Sequence, residues 1–165
     1  RVRPGLRGII FGATDVTIGE CFGRRLFGLP KSCSEMVREM GLALDSTVLF
    51  LFNFSQRQLH GIFVPDGPPG FPLEKHAWLP GAWVHGVKGD STLERAKTTQ
   101  FVAQVRVKRA GHEMKALPEA AFKHVMRYST GHKFELHLSS AQVSQLIHLF
   151  LQQTTRSSSR LRKAA

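Results

Sequence analysis

The chain has 165 residues, 42% of them hydrophobic, which suits one well-packed domain and is too short for two comfortable ones. Its two cysteines, Cys21 and Cys33, lack CxxC spacing, so neither a disulfide framework nor a zinc site is built from them, and a reducing compartment follows. The net charge of +11 invites nucleic acid as a partner, yet seven of the 23 basic residues lie in the two tails (Arg1, Arg3, Arg7, Arg156, Arg160, Arg162 and Lys163), leaving a body of only about +4.

In chain order, residues 1–7 form a basic flank, and Arg at position 1 fits a piece excised from a longer chain. Gly8-Ile9-Ile10-Phe11-Gly12 is a short apolar run between glycines and reads as a first strand. Thr17-x-x-Glu20 has the form of a capping box, and Ile18, Cys21, Phe22 and Leu26 give the following helix one apolar face. Phe27-Gly28-Leu29-Pro30 is expected to end that helix, with Gly28 at positive φ and Phe27 and Leu29 aimed inward. A second box, Ser32-x-x-Glu35, opens a helix carrying Met36, Val37 and Met40 on one side.

Thr47 to Val64 is the centre of the chain, read as two antiparallel strands and a tight turn. Val48-Leu49-Phe50-Leu51-Phe52 is apolar at every position, which predicts a strand buried on both faces in mid-sheet. The run is too short for a membrane span and ends in polar turn residues. Pro65 to Pro72 holds four prolines and is a loop, and the loop continues with little periodicity to Thr99. From Gln100 to Lys108 a strand alternates, with Phe101, Ala103, Val105 and Val107 on an inner face and Gln104, Arg106 and Lys108 on a solvated one. Leu117-Pro118-Glu119 opens a short helix, Lys133 to Leu138 forms a strand, and Ser139-x-x-Gln142 caps a final helix. That helix packs through Val143, Leu146, Ile147, Phe150 and Leu151, and the Ser/Arg-rich tail 153–165 is expected to be disordered.

Candidate sites are few. Trp78 and Trp83, with Phe71 nearby, either wall an aromatic pocket for a base or methylated ligand or pin the long loop to the core, and packing is the commoner fate of such rings. Phe27 and Leu29 are candidates for the same pocket, with core packing as the alternative. Arg106, Lys108 and Arg109 form a candidate rim for nucleic-acid phosphates, or a merely solvated strand face. The histidines show no HExxH or HxH spacing and no cluster with the cysteines, so no metal and no cofactor is expected, and no hydrolase signature surrounds either cysteine.

Several strings occur together in an order that resembles the plant DCD (development and cell death) domain: the Gly8 to Gly12 run, Thr17 to Cys21, Phe27-Gly28-Leu29-Pro30, Leu49-Phe50-Leu51, His60-Gly61-Ile62-Phe63 and Ala103-Gln104-Val105. Val102 and Ala116 stand where that family carries prolines. The resemblance covers residues 8–152 and supplies no catalytic residue. It implies a non-enzymatic interaction module of a plant stress-response and programmed-cell-death protein, working through protein partners in the cytoplasm or nucleus. The element order also resembles PUA-like folds, including YTH domains, so the expected fold is α/β (α+β): a mixed, largely antiparallel curled sheet or partial barrel with packed helices. That second likeness makes an RNA or modified-nucleotide reader the alternative function.

Overall fold

The computed structural model describes residues 5–84, 87–88 and 97–164, with side chains as far as Gln153 except at 84, 87 and 88. The elements run β1 (Arg7–Ala13), α1 (Ile18–Arg24), β2 (Leu26–Leu29), α2 (Ser34–Met40), β3 (Thr47–Asn53), β4 (Gln58–Pro65), β5 (Trp83–Val84) and β6 (Val87–Lys88). They continue with β7 (Ala103–Arg109), β8 (Leu117–Pro118), α3 (Glu119–Phe122), β9 (Tyr128–Thr130), β10 (Lys133–Phe134), β11 (His137–Leu138) and α4 (Ser140–Ala164). The main sheet has the order β11-β1-β3-β4-β7-β2, with β8 paired to β4. Only the β1–β3 pairing is parallel in this sheet. The sheet curls into a half-barrel with the helices packed against it, as expected for a mixed, largely antiparallel α/β domain.

β3 lies in mid-sheet and all seven of its residues are buried, because each of its faces meets a separate core. Val48, Phe50 and Phe52 join Val143, Leu146 and Phe150 of α4 in one cluster. Leu49 and Leu51 face the inside of the curl, against Phe11, Phe27, Phe63 and Val105. The doubly apolar run of this strand therefore serves two cores rather than one.

Several expectations are corrected. Phe27-Gly28-Leu29 does not end a helix: α1 stops at Arg24, where Arg25 takes a left-handed φ of 53°, and Leu26–Leu29 is a fully buried strand paired with β7. Gly28 accordingly has no positive φ. Neither early capping box forms, although both carboxylates are engaged. Glu20 turns to Arg24 and the loop, and a 3-10 turn over Lys31–Cys33 moves the start of α2 to Ser34, where Glu35 pairs with Arg38. The outer face of β7 is not uniformly wet, since Gln104 is fully buried and Arg106 is bonded to Glu74.

The box at Ser139 does close, with the Ser139 amide donating to Gln142 Oε1 at 2.9 Å and the Gln142 amide donating to Ser139 Oγ at 3.2 Å. Beyond it Leu151 is exposed, and the Lys133 to Leu138 stretch divides into β10 and β11. α4 is helical as far as Ala164, where disorder was expected; no glycine or proline interrupts the tail, and its Leu, Arg, Lys and Ala residues favour helix.

Candidate binding cleft beside Trp78

The long loop that precedes β7 is held down by buried charge. Arg24, with a side chain only 4% exposed, donates from Nε to Glu20 at 2.7 Å, from Nη1 to Glu74 at 2.6 Å and from Nη2 to the Ala82 carbonyl at 3.0 Å. Arg106 donates to the second Glu74 oxygen at 2.8 Å and to the Arg24 carbonyl at 2.9 Å. Gln104 completes the clamp: its Oε1 accepts from the Leu73 and Glu74 amides, and its Nε2 donates to the Glu74 and Phe101 carbonyls. Each charged side chain of this clamp thus finds a partner of opposite sign, the condition under which buried charge is tolerated.

This clamp places the tryptophans differently. The backbone amide of Trp78 donates to Glu20 Oε2 at 2.6 Å, holding the residue at φ 64°. Its ring sits on Gly28, where a Cβ would come within 2.7 Å of two ring atoms, and it meets Phe101 edge-on at 5.8 Å. Trp83 instead lies over Gly23, with the Arg24 guanidinium 5.1 Å from its ring centre.

Trp78 and Leu29 line a cleft of about 450 Å³. Phe54, Phe101, Phe134 and Leu136 extend its apolar wall, while Thr14, Thr17 and Lys133 supply its polar groups, and Cys21 and Cys33 also reach it. Phe54 is seated on Gly12 as Trp78 is on Gly28, because a Cβ at Gly12 would approach its ring to 2.5 Å. The Trp78 indole nitrogen is buried and meets no acceptor at hydrogen-bond geometry among the described residues. It lies beside the Cys21 thiol, a weak acceptor. Burial pushes that thiol up to about 12, the indole pulling it partly back.

Of the residues singled out by sequence, Trp78 and Leu29 come together here. Trp83 packs on α1 and Phe27 is core, so neither lines the cleft. Phe71 lies under the Arg38 guanidinium, 4.8 Å from its ring centre, and is likewise outside. Arg106 belongs to the clamp, whereas Lys108 and Arg109 line a separate, smaller cleft. Sequence reasoning missed Phe54, Phe101, Phe134 and Lys133. The available signal was Gly12 and Gly28, glycines inside strands, which mark places where another group approaches the backbone closely.

The profile of the development and cell death domain matches residues 7–150. The chain belongs to the DCD domain family. It is 32% identical over 152 residues to the DCD domain-containing protein NRP-B of Glycine max, covering 90% of this chain and 40% of that one. It is 30% identical over 143 residues to the B2 protein of Daucus carota, covering 87% of this chain and 61% of that one. The DCD chain described here therefore spans less than two thirds of either relative.

Among solved structures it is similar in fold to the YTH domain of Zygosaccharomyces rouxii MRB1 protein in complex with N6-methyladenosine RNA, with a TM-score of 0.61 at 8% identity over 91% of this chain and 90% of that one. A Toxoplasma CPSF4 YTH domain in complex with m6A-modified RNA gives 0.52 at 14% identity, over 89% and 91%. At these identities the likeness is one of fold. Among the described residues no helix is long and apolar enough to cross a membrane, and no group of three His, Cys, Asp or Glu residues is placed to hold a metal ion.

Proposed function

We propose that this DCD domain is a non-enzymatic recognition module of plant stress-response and cell-death proteins, and that its Trp78 cleft receives a base of single-stranded RNA. The observation that carries this reading is the Trp78 indole, fixed by Gly28, Glu20 and Phe101 in an aromatic-walled cleft of about 450 Å³. Aromatic walls suit a flat ring. The YTH-like fold, known in complexes with modified RNA, favours the same ligand class.

A second reading, docking of an apolar side chain from a protein partner, is favoured by the exposure of Phe54 at the cleft and of Val16, 91% exposed, in the adjoining turn. Anisotropy titration of a labelled adenine-containing RNA pentamer, with and without N6-methylation, tests the choice. Binding by the wild-type chain that Trp78→Ala weakens by about 1–3 kcal/mol is expected. RNA affinity indifferent to Trp78, at every salt concentration, would leave the protein-partner reading.

A further inference from the structure

Cys21 lines a second cleft as well, of about 350 Å³, on the side where α1 meets the end of β7. Its floor is apolar, the Phe22 and Phe63 rings lying stacked with centres 6.2 Å apart. Its rim is cationic. Strand parity puts Arg109 on the same face as Val105 and Val107, so its guanidinium lies over the floor, 4.8 Å from the Phe63 ring centre and 5.9 Å from that of Phe22. A guanidinium laid on rings loses rotamer freedom before any ligand arrives, and its N–H edge stays open.

The cations around this cleft are not neutralised as their neighbours are. Arg24 and Arg106 are each committed to buried or half-buried carboxylates. Arg109 has only Glu113, 3.7 Å away with a side chain 82% exposed, a contact that water and salt screen. Arg25 is exposed and has no carboxylate partner among the described residues, and among these no carboxylate lines the cleft. Arg25 is nonetheless fixed in place, for its carbonyl accepts the Val107 amide at 3.0 Å and its backbone is the left-handed stop of α1. His60, edge-on to Phe22 at 5.4 Å, is held below its ordinary pKa chiefly by burial, with Arg109 lowering it further and Glu113 opposing.

We infer that this cleft is a phosphate subsite, in which Arg25 and Arg109 take a phosphate of a single-stranded nucleic acid. The Arg109 guanidinium covers the Phe22 and Phe63 rings, so the cleft offers a phosphate its open N–H edge and leaves the base to the Trp78 cleft. The inference rests on the RNA reading above for the class of ligand, but on different residues.

Amide and indole chemical shifts of the isotopically labelled chain, titrated separately with adenosine, AMP, inorganic phosphate and a phosphoserine peptide, test it. AMP is expected to shift the amides of Arg25 and Arg109, inorganic phosphate to shift the same amides more weakly, and adenosine to leave them in place. Arg25→Gln, an exposed change that leaves the core untouched, and Arg109→Gln should each weaken the AMP response about tenfold, the loss of one charge-assisted hydrogen bond, whereas Lys108→Ala, on the other face of β7, should leave it unchanged. A shift of the Trp78 indole by adenosine reports the base cleft independently, so either site can fail alone. AMP shifts confined to Trp78, or amide shifts that survive both arginine substitutions, would overturn the subsite. A response to the phosphoserine peptide without one to AMP would overturn its assignment to nucleic acid.

Discussion

Replacing Gly28 by alanine tests whether the cleft is built by close approach. An ideal Cβ there would stand 2.7 Å from both Trp78 Cη2 and Cζ3 and 3.1 Å from Phe101 Cβ. Ordinary carbon contacts are about 3.5–4.0 Å, so the ring has to retreat by about 1 Å. It cannot do so freely, since the Trp78 amide is bonded to Glu20 and its ring is edge-on to Phe101. Overpacking of this kind costs about 1–3 kcal/mol, against which alanine recovers only about 0.5–1 kcal/mol of backbone entropy. For a chain of this size the net loss lowers Tm by a few degrees, at about 2–4 °C per kcal/mol.

Gly19 supplies the control: it lies in α1, and a Cβ added there would meet nothing within 4 Å, so Gly19→Ala should stabilise by about 0.5–1 kcal/mol. Urea denaturation followed by circular dichroism gives both values, and tryptophan fluorescence reports the displaced ring. If Gly28→Ala matched Gly19→Ala in stability and left the emission of Trp78 unchanged, the packing argument for the cleft would be refuted.

Phe50→Ala should cost about 3–5 kcal/mol, since it removes a fully buried ring stacked on Phe150 at 6.0 Å, and a melting temperature within a degree or two of wild type would contradict this. Ser139→Ala should cost about 0.5–2 kcal/mol by opening the closed capping box of α4, measurable by the same urea titration, whereas Ser32→Ala, whose box never forms, should be near neutral. Glu119 is held below its ordinary pKa by the Arg57 guanidinium, so its contribution is present above the unfolded carboxyl range and is lost as pH falls through the folded value. Stability measured from about pH 7 down to about pH 3 should therefore fall less steeply in Glu119→Gln, and an unchanged acid limb would exclude Glu119 as a source of it.

Much of the framework was legible in the chain itself. Val48 to Phe52 announced a strand with two dry faces, and Ser139, Gln142 and the spacing Val143, Leu146, Phe150 announced the last helix, because burial and capping there depend on neighbours a few residues away. Local rules failed where a distant partner competed. Glu20 has the right spacing to cap α1, yet Arg24 and the Trp78 amide, 58 residues on, take its carboxylate. Phe27-Gly28-Leu29 has the composition of a helix stop, yet β7 offers it a ladder of backbone hydrogen bonds that only the folded sheet provides. The same holds for the site. The sequence contained two tryptophans with equal claims, and the choice between them was made by which glycine each ring reached: Gly28 at the cleft for Trp78, and Gly23 on α1 for Trp83. Contacts of that kind join segments far apart in the chain, and no periodicity or spacing within either segment encodes them.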